Sequence, residues 1–175
     1  GNSALNSGGG MYISHSDPIL EHVVISDNAS EIWGGGIFIN DSSYPILNHV
    51  TISGNSADNY GGGGIKCMDN ANPSLVNCIL WNNSPQEVDF INYTNTDPNS
   101  ITIAYSDVQG GEDAIITNGM NTVNWLYGNI NTDPLFVDPE NGDYNLTNLS
   151  PCIDAGDPES ENDPDGTIAD MGALY

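Results

Sequence analysis

Carboxylates set the chemistry open to this chain. Its 175 residues hold 24 Asp plus Glu against one basic side chain, Lys66, for a formal net charge of −23. Eleven of those carboxylates fall between Asp133 and Asp170. Within that stretch, Asp163-Pro164-Asp165-Gly166 places alternate carboxylates before a glycine turn, as oxygen-rich Ca²⁺ loops do. Asp157 and Asp170 are the residues that could complete such a shell, although the spacing is not that of an EF-hand. The same residues equally suit Asp-Pro and Asp-Gly turns capped by their own side chains.

Two imidazoles form the second candidate. His22 and His49 sit at matching positions of a repeated segment, with Asn77 third in line and His15 isolated in a loop. Stacked one repeat apart, they suit either a transition-metal site with an open position or a polar column at a bend. Lyase chemistry on uronates needs a basic side chain, and only Lys66 could serve, beside a core-facing strand position. A hydrolase needs two carboxylates about 5–10 Å apart. Asp17, Asp41 and Asp69 come near that condition but stand out of strict register, as turn-forming loop residues do. Catalysis is therefore not expected. The charge also excludes nucleic acid and anionic membranes as partners, because both require a cationic surface. It favours cations, or serves solubility alone.

What positions these groups is a repeat of 26 to 28 residues that starts at Gly1, Asp27 and Gly54. Its centre is a glycine run followed by a short apolar strand: Gly8-Gly9-Gly10-Met11, Gly34-Gly35-Gly36-Ile37 and Gly61-Gly62-Gly63-Gly64-Ile65. A proline and a second apolar run come next, at Pro18, Pro45 and Pro73. Runs this short and this often broken by Gly, Asn and Asp are strands, and a period near 27 means one unit stacked on the next. The predicted fold is all-β, a right-handed parallel β-helix of about six coils in a single domain, 1–175. Residues 1–81 form three regular coils, 82–153 irregular coils, and 154–175 an acidic tail folded over the C-terminal end.

Aligned positions must then lie above one another at roughly 4.8 Å spacing. Asn2, Asn28, Asn55 and Asn83 should form a ladder of side-chain amides, hydrogen-bonded along the axis as amide ladders are in cross-β stacks. Four inward columns are expected: Met11–Ile37–Ile65, Ile13–Ile39–Cys67, Leu20–Leu47–Leu75 and Ile25–Ile52–Leu80. Cys67 and Cys78 take apolar positions of the preceding coil and read as buried small residues, although a bridge between them stays open. Six Asn-x-Ser/Thr sequons reflect an Asn-rich composition, and the one at Asn28 falls within the ladder. The chain opens inside a repeat rather than at a methionine, as a segment of a longer precursor would. No apolar run is long enough to span a membrane as a helix.

Gly-Asn-Ser-Ala, Gly-Gly-Gly-Ile-x-Ile and Pro-x-Leu-x-Asn-x-x-Ile together resemble repeats of the right-handed parallel β-helix superfamily, which includes polymorphic outer-membrane and pectate-lyase-like proteins. Later segments resemble a C-terminal module of large secreted or surface bacterial proteins. Among them are Asn77-Cys78-Ile79-Leu80-Trp81, Asp133-Pro134-Leu135-Phe136 and Ser150-Pro151-Cys152-Ile153-Asp154. That resemblance implies export and cell-surface placement, and no particular reaction. The expected role is a non-catalytic structural or adhesive module. It would act as a stiff spacer that pairs with neighbouring repeats or stacks head-to-tail on itself into filaments, with Ca²⁺ as the possible cofactor. The alternative is a β-helix that binds or cleaves cell-surface glycans, with Trp33, Trp81 and Trp125 available to stack on sugar rings.

Overall fold

A computed structural model describes residues 1–92 and 98–174. The chain winds into a parallel β-solenoid of about four turns, with a shorter rung over 109–130. In the second turn the path runs Ala29–Ser30, the glycine triplet, Ile37–Asn40, a polar loop, then Ile46–Ser53. Stacked, these segments make a narrow sheet, a front sheet and a bent sheet, all with parallel neighbours.

The bent sheet turns its corner at a single residue. His22, His49, Asn77 and Tyr105 occupy that column with φ of 52°, 51°, 54° and 47°. The left-handed region costs most side chains roughly 1–2 kcal/mol and Asn and His less, which fits the polar choice at three of the four. From the third turn the bent strand is divided at Asn77 into Ser74–Val76 and Ile79–Trp81.

All four inward columns stack in register and each gains a further member. They run Met11–Ile37–Ile65–Val88, Ile13–Ile39–Cys67–Phe90, Leu20–Leu47–Leu75–Ile103 and Ile25–Ile52–Leu80–Val108. Together they form one continuous core. Cys67, Cys78 and Cys152 are all buried with free thiols, so Cys67 and Cys78 are not bridged.

The amide ladder runs along one corner. The main-chain N–H and Nδ2 of Asn2 both donate to Asn28 Oδ1, at 2.8 and 3.1 Å. Asn28 repeats this to Asn55, and Asn55 to Asn83. At the end a carboxylate replaces the next amide: Asn83 N–H and Nδ2 donate to Glu87 Oε1 and Oε2, at 3.0 and 2.5 Å. The glycine triplet makes room for this column. Gly34 takes φ of 62°, and a Cβ on Gly35 would stand 2.2 Å from the Ser56 carbonyl of the next turn. A Cβ on Gly36 would press on Ile52 and on the Asn55 amide itself. A second ladder lies at another corner, where Asn99 N–H and Nδ2 donate to Asn121 Oδ1.

Two expectations are corrected. The solenoid has about four turns, not six, because the chain beyond Ile130 leaves the stack. Phe136–Asp138 and Asp143–Leu146 pair antiparallel as a hairpin, which a solenoid rung cannot do. The acidic tail also lies along the flank, not over the C-terminal end. Gly172 N–H donates to the Asn77 carbonyl and Ala173 N–H to Thr51 Oγ1, in the second and third turns. The cause is the outward column Thr51–Ile79–Asp107. Ile79 is an apolar side chain on an outer face, and it is buried only because Cys152 and Met171 pack on it.

Candidate functional site

Where the tail meets the bent sheet, the two elements enclose a cavity of about 630 Å³. Glu21, His22 and His49 line it from the coils, and Ser160 to Pro164 from the tail. His22 and His49 stack with ring centroids 4.8 Å apart and planes 17° from parallel. Nitrogen lone pairs lie in the ring plane, so rings stacked this way direct them side by side and not toward one shared ion. The column therefore reads as the polar bend and not as a two-histidine metal site.

Asn77 is the fastening of this junction. Its Oδ1 accepts from the Asp157 N–H at 2.7 Å, which fixes the direction of the amide. Its Nδ2 then donates to Ser160 Oγ at 3.0 Å and to His49 Nε2 at 3.1 Å. His49 Nε2 must be an acceptor, so the ring is neutral with its proton on Nδ1. Burial, and then the neighbouring His22, hold the His49 pKa below its ordinary value, against the opposing charges of Asp163 and Glu21. A lowered imidazole pKa contributes stability that is present above the unfolded value of 6.5 and lost as pH falls through the folded one. Protonation places a second donor against Asn77 Nδ2. The expected result is selective loosening of residues 157–172 below pH 6.5. Hydrogen exchange corrected for intrinsic rates should show it, and tail amides that stay as protected at pH 5 as at pH 7.5 would refute it.

The four carboxylates singled out by their spacing do not converge. Asp165 Oδ1 accepts from Thr167 N–H and Oγ1, and Asp157 Oδ1 from Glu159 N–H, both local turns. Asp163 Oδ2 accepts from the Asp170 N–H, and Asp170 Oδ1 from the Asp154 N–H. Burial pushes the Asp170 carboxyl up, and the charges of Asp163, Asp154 and Asp165 add to the effect. No group of three or more His, Cys, Asp or Glu among the described residues is set to hold a metal ion. The loop is a turn network in which one oxygen of each of the four carboxylates accepts from a backbone N–H.

The front sheet carries a different surface. Tyr12, Phe38, Lys66 and Asp89 form its outward column. Lys66 is buried, with its ammonium 2.5 Å from Asp89 Oδ2 and 2.8 Å from the Tyr60 carbonyl. Burial pushes the Asp89 carboxyl up while Lys66 pulls it down. The one basic side chain is thus consumed in an internal pair and does not stand free as a base. Above it, Tyr12 stacks on Phe38 at 5.2 Å and Trp33 on Phe38 at 5.6 Å. Of the three tryptophans only Trp33 joins this cluster. Trp81 packs under the tail and Trp125 against the core.

Three features escaped the reading of the sequence. Glu87 as the ladder's end and Asp107 under the tail are buried carboxylates in a chain full of exposed ones, and composition hides them. Asn77 had a usable signal, since it takes the place of two histidines at a bend, but its tail partners lie 80 and more residues away.

Against known families, a model described as right-handed beta helix region matches residues 1–130, which covers all the coils and ends before the flank hairpin. No curated protein and no solved structure matches.

Proposed function

The protein belongs to the right-handed β-helix family, and from that premise we propose a non-catalytic, extracellular structural and adhesive module. It is a stiff rod whose coils stack on further β-helix coils. The observation that carries this reading is the unbroken register of core and amide columns from turn to turn, because each coil presents the face that the next one matches. In the ladder each Oδ1 accepts from the rung before it, so the exposed Asn2 offers its Oδ1 to a further rung. That rung comes from a second copy stacked head-to-tail or from neighbouring repeats. An asymmetric contact of this kind propagates into a filament. The buried Lys66 pair supports the non-catalytic part, since it removes the only lysine amine from the surface. The charge of −23 supports export to a salt-rich medium and a role for Ca²⁺ in screening two acidic rods as they meet.

Negative-stain microscopy of the purified chain, with and without millimolar Ca²⁺, tests stacking. Rods longer than one molecule, growing with concentration and promoted by Ca²⁺, are the expected result. Single short particles at every concentration in both conditions would remove self-stacking from the reading.

A further inference from the structure

We infer that Lys66 and Asp89 condense into an isopeptide bond, a self-formed covalent tie between the third and fourth turns. This tie lies within one molecule and is independent of the stacking reading above. The two residues face each other in register on adjacent parallel strands, Ile65–Met68 and Val88–Ile91. They share the outward column of the front sheet, yet Lys66 is 1% exposed and Asp89 5%. Lys66 Nζ lies 2.5 Å from Asp89 Oδ2 and donates to the Tyr60 carbonyl at 2.8 Å. This is the only side-chain amine of the chain, and it is held away from water against one particular carboxylate out of 24 acidic residues.

Asp89 Oδ1 adds the second observation, because it is buried without a hydrogen-bond partner. The neighbouring Phe90 N–H is already donated to the Ile116 carbonyl at 3.1 Å. A buried ion pair recovers its desolvation cost only when its remaining lone pairs are satisfied, and those of Oδ1 are not. Amide formation removes both defects, since the two charges disappear and the carboxyl gives up one oxygen. Burial pushes the Asp89 carboxyl up, against the pull of Lys66 and of the Phe90 backbone. A proton can therefore pass from Nζ to Oδ2 across their contact, which leaves an amine and a carboxylic acid. The nitrogen lone pair then forms a bond to Asp89 Cγ. The Cγ–O bond breaks with its electron pair on the leaving hydroxyl, which takes a second proton from nitrogen and departs as water. One ammonium and one carboxylate become one secondary amide and one water, with no net change of charge and no outside reactant. Well-oriented groups held in contact react at effective concentrations of roughly 10⁵–10⁸ M. Exclusion of water from the closed site then holds off hydrolysis of the product. The bond closes the chain between residues 66 and 89, so that segment cannot be drawn out when the rod is pulled.

Intact-mass measurement and trypsin digestion test this together. Lys66 is the only residue after which trypsin could cut this chain, and a lysine acylated on Nζ is not cut. The expected wild type is lighter than its sequence by one water and stays uncut by trypsin after heat denaturation. Asp89→Ala should show its full sequence mass and be cut into fragments 1–66 and 67–175, and neither readout requires the variant to fold. A wild type of full sequence mass that trypsin cuts would overturn the inference. A wild type lighter by one water but still cut at Lys66 would place the dehydration elsewhere and overturn it as well. Resistance that Asp89→Ala retains would show that Asp89 is not the partner of Lys66.

Discussion

Asn55→Ala is expected to cost about 4 kcal/mol and to lower the melting temperature by about 10 °C, the largest effect of any single side chain in the ladder. Asn55 is fully buried in the middle of the column. Its Nδ2 donates to the Ile25 and Ser53 carbonyls and to Asn83 Oδ1, and its Oδ1 accepts from both Asn28 N–H and Nδ2. Truncation orphans the Asn28 main-chain N–H, the Asn28 amide and the Ile25 carbonyl inside a dry corner. Each unsatisfied group costs roughly 1–3 kcal/mol, against a net stability of roughly 5–15 kcal/mol for a domain. The methyl that replaces the amide cannot collapse the space, because Gly36 packs there on backbone of the next turn. Asn2→Ala is the internal control, since Asn2 is exposed and donates to only one neighbour. Its cost should stay below about 1 kcal/mol. Equal melting temperatures for the two variants in a thermal scan followed by circular dichroism would show that the column is decorative.

The contrast between these two asparagines explains how much was legible in the sequence. A column repeats at a fixed period, so Asn2, Asn28, Asn55 and the four apolar columns could be read from position alone, with no knowledge of any contact. Asn83 could be placed by the same count. The group beyond Asn83 could not, because Glu87 replaces the next amide four residues later and not a full turn later. The same logic separates the coils from the tail. Residues 131–174 have no internal period, and their position is set by Ile79, Thr51 and Asp107 on an outer face that an isolated strand pattern assigns to solvent. Asp163, Asp165 and Asp170 carry a loop-like spacing, but spacing does not say which backbone N–H each carboxylate accepts from. The aromatic stack on the front sheet lay between these cases. Tyr12 and Phe38 share a column and were implicit in the register, whereas Trp33 reaches them from a turn.

The second large effect is an inverted response to acid. The protein is expected to gain stability as pH falls from 7.5 to 5, through two buried carboxylates, Glu87 and Asp107. Burial pushes Glu87 up to about 7, although the Asn83 donors oppose it, and pushes Asp107 up to about 6. A carboxyl raised above its unfolded value binds its proton more tightly in the native state, so its contribution is fully present below the unfolded pKa near 4 and lost as pH rises through the folded one. At 1.36 kcal/mol per pKa unit, each full shift amounts to about 3 kcal/mol, of which Glu87 realises most and Asp107 about half between pH 7.5 and 5, and less together because each charge raises the cost of the other. A carboxyl at the model-peptide pKa near 4 is mostly ionised already at pH 5, so a response between pH 5 and 7.5 reports groups raised above it. One molar salt separates the two further, since it screens surface charges to about 3 Å and leaves a buried group unscreened. The expected result is a melting temperature several degrees higher at pH 5 than at pH 7.5 in 1 M NaCl, with the difference reduced in Glu87→Gln. His49 acts with the opposite sign, so the junction it makes with Asn77 should loosen over the same interval in which Glu87 steadies the coils. A melting temperature that falls on acidification in both wild type and Glu87→Gln would mean that Glu87 is ionised throughout and that the ladder ends in a buried charge.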